Sequence, residues 1–319
     1  MAARADSPTG VQENADKDRA FHTDTKSPYC LPNDNIEHER LFSQSNGVKA
    51  MFKGRMSHAP LSLSSPPTKM LDIGCGTGSV SLYLGETYPT AYVYGVDLSK
   101  VPDISQQQAA TKQRNVKFVQ GNYMGATIGS PGPTDEAKDL WQPNSYDLIF
   151  GRALVLGIEN WDHYFEKAFA LLKPGGWVED QDVDQTMLTY PERKPIEDMP
   201  ENEWLREMRT HLAATGVDLK AASNAAERMR KAGFVDVRVE QYVWPFVKIE
   251  ELPETWALAE HCQRTHKEII TTALQRLMSG RGVPQSKIDE YKKKIDDDLF
   301  KYPGVHYPFY VTLGRKPEK

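Results

Sequence analysis

The chain has 319 residues, 39% of them hydrophobic, which is enough apolar material for one large domain or one domain with a cap. A formal net charge of −5 and an isoelectric point near 6.0 leave no basic surplus for phosphates, which argues against nucleic acid as the main partner. Three scattered cysteines (Cys30, Cys75, Cys262), no apolar run approaching the ~20 residues of a membrane span and no signal-peptide core make a reduced, cytoplasmic setting the expectation.

Residues 1–27 carry few large apolar side chains and read as a disordered tail. Residues 28–67 read as a separate N-terminal segment and linker. Tyr29-Cys30-Leu31-Pro32-Asn33-Asp34 comes first, then Glu37, Arg40 and Leu41 at helical spacing, with Asn33 or Asp34 as the cap. A Pro/Ser stretch at 60–67 leads into the main domain, 68–319. That domain opens with a short buried strand at 69–73, a tight turn Gly74-Cys75-Gly76-Thr77-Gly78 and a helix at 79–86. A second strand, 91–96, delivers Asp97 to the same edge, 19 residues after Gly78. Glycines let a nucleotide-type ligand approach the turn, and a carboxylate placed like Asp97 accepts both hydroxyls of a ribose. The bland alternative is a glycine-rich structural turn with no ligand.

A dinucleotide fingerprint would need its third small residue at 79 or 81, and both positions are serine, Ser79 and Ser81. The pattern present is D-x-G-x-G-x-G, begun by Asp72. A Gln-rich helix follows, then a third strand at 116–119 ending in Gly121-Asn122-Tyr123, a flexible loop at 125–133 and a short helix at 135–141. A fourth strand spans 146–150. An amphipathic helix at 161–172 is stopped by Lys173-Pro174-Gly175-Gly176, and a fifth strand begins at Trp177. This alternation calls for a doubly wound parallel sheet with the ligand across the carboxyl ends of its strands.

Past Gln181 the rhythm breaks into an insertion at 184–215, a helix at 221–232, a strand at 235–243 and a long helical region at 252–278. The lysines 292–294 and aspartates 296–298 pair at i, i+4 as a solvated helix face, and 306–314 alternates like a closing strand.

The LPND segment with Glu37 and Arg40, the DIGCGTG turn, Asp97, YDLIFGR, LKPGGWVE and AGFVDV resemble the LaeA-like branch of class I S-adenosylmethionine-dependent methyltransferases, common in fungal secondary metabolism. The resemblance covers 29–317. It implies a mostly parallel, seven-stranded Rossmann-like α/β sheet closed by a hairpin strand. Lid helices would precede the sheet, and helical insertions around 184–215 and 250–302 would cap an acceptor. It implies S-adenosylmethionine as cofactor, with Gly74, Gly76 and Gly78 along its methionine and ribose and Asp72 beneath. Asp97 would hold the ribose diol and Leu98 one face of the adenine. Asn122 stands where many relatives have an acid for the adenine amine, and its amide carbonyl can accept the same bond. Tyr123 would stack or simply pack.

Gly151 and Arg152 would lie near the sulfonium. Arg152 is open between holding the cofactor carboxylate, holding an acidic group of the acceptor, and pairing with Asp72 or Glu179 as structure. Tyr29 and Arg40 would lie on the lid over the cofactor, with a helix that merely packs on the sheet as the other reading of Arg40. Gln44-Ser45 stands where the family often has Gln-His, and Trp244-Pro245-Phe246-Val247 replaces a glycine-containing segment, so acceptor identity does not carry over.

Methyl transfer is an in-line displacement for which the protein aligns the nucleophile and excludes water; a base is needed only for a protonated nucleophile. No catalytic base is assigned. His163 lies on a surface helix, while His261 and His266 fall in the helical region where pocket access is expected. No Cys/His cluster has metal-ligand spacing. The reading that follows is methylation, on oxygen or nitrogen, of a small and largely apolar metabolite. Its acceptor pocket would draw on Trp204, Met208, Trp244, Phe246, Trp256 and Met278, unless these are plain core. Two rivals remain: a LaeA-like regulator acting in a complex, and a cofactor-binding cyclase or isomerase that transfers no methyl.

Overall fold

The computed structural model describes Tyr29 and residues 31–319, so the expected tail at 1–27 and Cys30 lie outside the described residues. The first half runs α1 (Asn35–Met51), β1 (Lys69–Ile73), α2 (Ser79–Thr87), β2 (Tyr92–Asp97), α3 (Asp103–Thr111), β3 (Val116–Gln120), β4 (Tyr146–Arg152), α4 (Trp161–Leu171) and β5 (Leu172–Val183). The second half adds α5 (Glu203–Ala213), α6 (Ala221–Lys231), β6 (Val235–Pro245), α7 (Trp256–Ser279), α8 (Gln285–Asp298) and β7 (His306–Arg315). The strands make one seven-stranded sheet in the order β3-β2-β1-β4-β5-β7-β6. It is parallel from β3 to β5, and β7 runs antiparallel to both β5 and β6.

β1, β2 and β4 are largely apolar because both of their faces are covered, whereas β5 carries the buried polar run Glu179–Asp182. Met70, Val93, Leu148 and Phe150 belong to one cluster with Val80, Leu82 and Leu84 of α2 and Ala109 of α3. The alternate residues Leu71, Tyr94, Val96 and Ile149 belong to the other, with Tyr164, Phe165 and Ala168 of α4 and Val48 and Met51 of α1. Each fully buried large apolar side chain contributes about 1.5–3 kcal/mol, so these strands order the sheet. Strand order reverses between β1 and β4, which leaves the crevice expected of a doubly wound sheet at their carboxyl ends.

Asp34 caps α1 by accepting the Glu37 N–H at 3.0 Å. The segment after α1 is drawn onto the sheet by buried Glu179 of β5, which accepts the Ser57 hydroxyl at 2.6 Å and the N–H groups of His58 and Ala59 at 2.9 Å. This places α1 across the carboxyl ends of the central strands.

Three local expectations are corrected. Lys173–Gly176 does not separate helix from strand. β5 starts at Leu172, directly after α4, and its register against β4 slips between Tyr146 and Leu148. Gly176 sits so close to β4 that a Cβ would lie 2.8 Å from the Tyr146 carbonyl oxygen, which only glycine tolerates. The helix expected at 135–141 is one 3₁₀ turn, Asp135–Ala137, because the carbonyls of Lys138 and Trp141 are taken by the N–H groups of Gly132 and Gly129 (3.0 and 2.7 Å). On α8 none of the expected Lys–Asp pairs comes within ion-pair distance among the described residues. Lys294 pairs with Glu290 at 3.1 Å and Lys292 reaches Gln275 of α7 at 2.5 Å, so one side of α8 docks on α7.

No helix among the described residues is long and apolar enough to cross a membrane.

Candidate cofactor cleft

β1 ends in a turn whose three glycines, Gly74, Gly76 and Gly78, take φ of +61°, +53° and +76°. The left-handed conformation favours glycine at 74, where a Cβ would also meet Leu154 Cδ2 at 2.4 Å and push that side chain aside. Gly78 caps α2 from behind the turn, and its carbonyl accepts the Leu82 N–H at 2.9 Å. Asp97, at the end of β2, closes the turn. One carboxylate oxygen accepts the Gly76 N–H and the other the Ser99 N–H, both at 2.8 Å. The Ser99 hydroxyl in turn accepts from Asn33 Nδ2 at 3.0 Å, which ties the N-terminal segment to this corner.

Asp72 lies beneath the turn and is 2% exposed. Ser81 Oγ donates to its Oδ2 at 2.6 Å. Burial pushes its carboxyl up to about 7 against the pull of Ser81 and Arg152, with Asp97 adding to the rise. Across β1 from Asp97, Arg152 ends β4. Its Nη2 donates to Ser45 Oγ of α1 at 2.9 Å, whereas Nη1 is buried with no hydrogen-bond partner among the described residues. Burial lowers its pKa to about 10, opposed by the charges of Asp72 and Glu179. Neither carboxylate lies within ion-pair distance of it, so the structural pairing left open by the sequence is not made.

These residues enclose a cleft of about 280 Å³ between α1 and the strand ends. Tyr29, Asp72, Gly74, Gly76, Asp97, Leu98, Asn122, Tyr123 and Arg152 all line it. Gly78 and Arg40 do not. Arg40 turns to the other side of Glu37, holding that carboxylate through Nη2 (2.5 Å) and Nε (2.7 Å) and giving Nη1 to Gln44 Oε1 at 2.6 Å. Its reach towards the cleft is through Glu37 and Gln44, which do line it, while its own outer side faces a second cavity between α1 and α7.

Asn122 lines the cleft, and its side-chain carbonyl oxygen accepts the Gly125 N–H at 3.1 Å. Tyr123 packs: its ring stands edge-on to Tyr164 at 5.4 Å, and its hydroxyl donates to the Tyr164 carbonyl at 3.1 Å.

Sequence reasoning missed His38, Leu41, Gln44 and Ser45 of α1, which line the cleft together with Leu154, Ile158 and Glu159 beyond β4. The signal was there in the i, i+3 and i+4 spacing of 38, 41 and 45, which puts them on one helix face. His261 and His266 are corrected as pocket residues, since neither lines the cleft. His261 Nδ1 meets Ser43 Oγ at 3.0 Å, and burial with Arg40 and Arg264 nearby lowers its pKa to about 3. The His266 ring lies tilted against Phe246 with centroids 4.5 Å apart, and burial lowers its pKa as well.

The expected acceptor wall fails for the same reason. Trp204, Met208, Trp244, Phe246 and Met278 are core residues. Trp256 is 38% exposed, away from the cleft, with its indole N–H on the Ile249 carbonyl at 2.8 Å. The buried face of α7 packs on α1 and β6, and Arg264, Thr265, Glu268, Ile269 and Thr272 of the same helix border the second cavity, which is separate from the cleft.

Comparison with known proteins identifies the family. The family model described as "Methyltransferase domain" matches residues 48–239, more than half of the chain. The chain therefore belongs to the methyltransferase domain family, and S-adenosylmethionine is the cofactor of its class. It is 28% identical over 232 residues to the methyltransferase pytC of Aspergillus terreus, covering 71% of this chain and 64% of that protein. It is also 27% identical over 323 residues to the secondary metabolism regulator laeA of Aspergillus fumigatus, covering 96% of this chain and 76% of that one. The chain thus spans just under two thirds of the length of pytC. Among solved structures, phosphoethanolamine N-methyltransferase 2 of Haemonchus contortus, in complex with S-adenosyl-L-methionine, aligns at TM-score 0.48 and 19% identity, over 85% of this chain and 52% of that one.

Proposed function

We propose that the cleft binds S-adenosylmethionine with its ribose on Asp97, its adenine between Leu98 and Asn122, and its methionine part across Gly74 and Gly76. The single observation that carries this reading is the pair of anchors on either side of β1. Asp97 stands at the cleft edge with its carboxylate oriented by the Gly76 and Ser99 N–H groups, the placement from which it would accept a ribose diol. Arg152 keeps a buried, unpartnered Nη1 for a carboxylate. A buried donor without a partner costs about 1–3 kcal/mol, and a carboxylate ligand would recover it. Asp72, held near neutrality beneath the turn, and Gly78, which sets its hand, act by shaping it; Arg40 acts by fixing Glu37 at the cleft edge.

When bound, the sulfonium supplies an activated methyl group. The protein's part is to hold an acceptor in line with it and keep water out. Tyr29 and the α1 residues His38 and Leu41 cover one side, and Leu154 and Ile158 the other. We infer that a small metabolite occupies the outer part of the cleft between them, with apolar walls and a few polar groups as such sites have. Its methyl would be accepted on oxygen or nitrogen, in a secondary-metabolite pathway. His38 is the histidine that lines the cleft among the described residues, and it could accept the proton of a hydroxyl acceptor.

The test is mass spectrometry of the native host with and without the active protein. Loss of a methyl group from one metabolite supports the enzyme reading. The relatives named as regulators favour a second reading, in which the protein acts in a complex; that reading gains if many metabolites vanish and no unmethylated precursor accumulates. An isomeric product of unchanged mass would point to a catalyst that transfers no methyl.

A further inference from the structure

Lys167 of α4 is 2% exposed and has no carboxylate within ion-pair distance among the described residues. Its ammonium instead donates to the carbonyl oxygens of Tyr123 and Ala126, and it lies 4.8 Å from the ring centroid of Tyr123 and 5.4 Å from that of Trp141. A buried cation carries a desolvation cost that a side chain of equal length without charge would avoid. Carbonyl dipoles and aromatic faces offset part of that cost, and what the ammonium adds in return is a fixed anchor for two carbonyls of one turn.

That turn follows β3 and lines the cleft through Gly121, Asn122, Tyr123 and Met124. It is closed internally by the Ala126 N–H on the Asn122 carbonyl at 3.1 Å and by the Gly125 N–H on Asn122 Oδ1 at 3.1 Å. The orientation of the Asn122 amide therefore depends on where residues 123–126 sit, and Lys167 is what holds them from the core side. The Tyr123 hydroxyl, on the Tyr164 carbonyl, supplies a second tie to α4.

We propose that Lys167 is a positioning residue for the cofactor's adenine, its ammonium gripping the Tyr123 and Ala126 carbonyls and so setting the turn that presents Asn122 to the 6-amino group. The inference rests on the reading that adenine lies against Asn122. A lysine at this place is a device for reading the base, beyond packing.

The experiment compares S-adenosylhomocysteine with its 6-deamino analogue, in which unsubstituted purine replaces adenine, by calorimetry on wild type, Lys167→Met and Lys167→Arg, with melting temperatures recorded alongside. Wild type should prefer the adenine compound by about tenfold, the worth of one well-placed hydrogen bond. Lys167→Met should cut that preference to about twofold, and Lys167→Arg, which keeps charge and donors, should retain most of it. A merely structural lysine would lower the melting temperature and leave the preference of the folded protein unchanged; that result overturns the proposal.

If Lys167→Met does not fold, the preference is followed in wild type from pH 6.5 to 9.5. Burial lowers Lys167 to about 8, whereas the neighbouring phenols Tyr123 and Tyr164 are held well above their ordinary range. Both ligands share ribose and amino-acid ends, so the titration of Asp72 cancels in the ratio. The preference should fall as pH passes about 8, and a constant ratio up to pH 9.5 overturns the proposal. Wild type that binds neither ligand would contradict the cofactor reading of the cleft itself, a distinguishable failure.

Discussion

Arg152 at the end of β4 donates to the hydroxyl of Ser45 on α1 at 2.9 Å, so the helix that covers the cleft is tied to the strand end where a sulfonium cofactor would react. The contact leaves Nη1 aimed at no partner among the described residues.

Arg152→Met should weaken S-adenosylhomocysteine binding by roughly 30- to 200-fold, the loss of a charge-assisted pair worth about 2–3 kcal/mol. Ser45→Ala should cost only a few-fold, since it frees one guanidinium nitrogen and removes no charge. Isothermal calorimetry separates the two. Equal affinities in wild type and Arg152→Met would assign Arg152 to the acceptor or to structure.

Arg40 and Glu37 form a buried pair beside the cleft, with side chains 11% and 4% exposed. Arg40→Met strands the Glu37 carboxylate and should lower unfolding free energy by about 3 kcal/mol or more. Adding Glu37→Gln should return over half of that. Urea denaturation of the three proteins checks it; a double variant no more stable than the single one would show that packing, and not charge, dominates.

Most of the sheet is legible because β1, β2 and β4 are short, largely apolar runs closed by turn residues, and the expected bounds of β1, 69–73, match the structure. β5 is less so, because its start lies in the Lys173–Gly176 run and its end in buried acids. The turn glycines are legible because a left-handed backbone leaves few residue choices, and the position of Asp97 because it closes an apolar strand at the cleft. The side of a helix that faces a ligand is set by tertiary packing, so Arg40 was expected over the cofactor whereas Glu37, His38 and Leu41 stand there. The same cause misplaced the acceptor wall: the aromatic content of 204–278 says that a core exists and not which cavity it borders. The grip of Lys167 on a distant turn leaves no local pattern at all.

Acidity bears on Asp72. Burial holds it protonated up to about pH 7, while in the unfolded chain it ionises near pH 4. Between these values the folded state binds the extra proton, so this group's contribution to stability falls as pH rises and levels off above 7. Asp72→Asn removes that contribution. The stability gap between wild type and variant should therefore move by up to about 1.4 kcal/mol per pH unit in wild type's disfavour from pH 4 to 7. Asp180 and Asp182, also raised by burial, act with the same sign in both proteins and drop out of the comparison. A pH-independent gap would mean that Asp72 is ionised throughout.

Deleting residues 1–25, which are poor in large apolar side chains, should leave melting temperature and S-adenosylhomocysteine affinity nearly unchanged. Deleting through Leu41 removes Asn33, Glu37 and Leu41 from the cleft and should abolish tight binding. Calorimetry and thermal melts on both truncations check this; similar behaviour of the two would remove the N-terminal segment from the site.

The central claim is that the cleft at the ends of β1, β2 and β4 is an S-adenosylmethionine site anchored on Asp97. The direct measurement is calorimetric titration of wild type and Asp97→Ala with S-adenosylhomocysteine, each checked for folding by thermal melt. One equivalent should bind per wild-type chain, and Asp97→Ala should bind about 30- to 1000-fold more weakly, a loss of roughly 2–4 kcal/mol for unpaired ribose hydroxyls. No binding to wild type, or unchanged affinity in a folded Asp97→Ala protein, would contradict it.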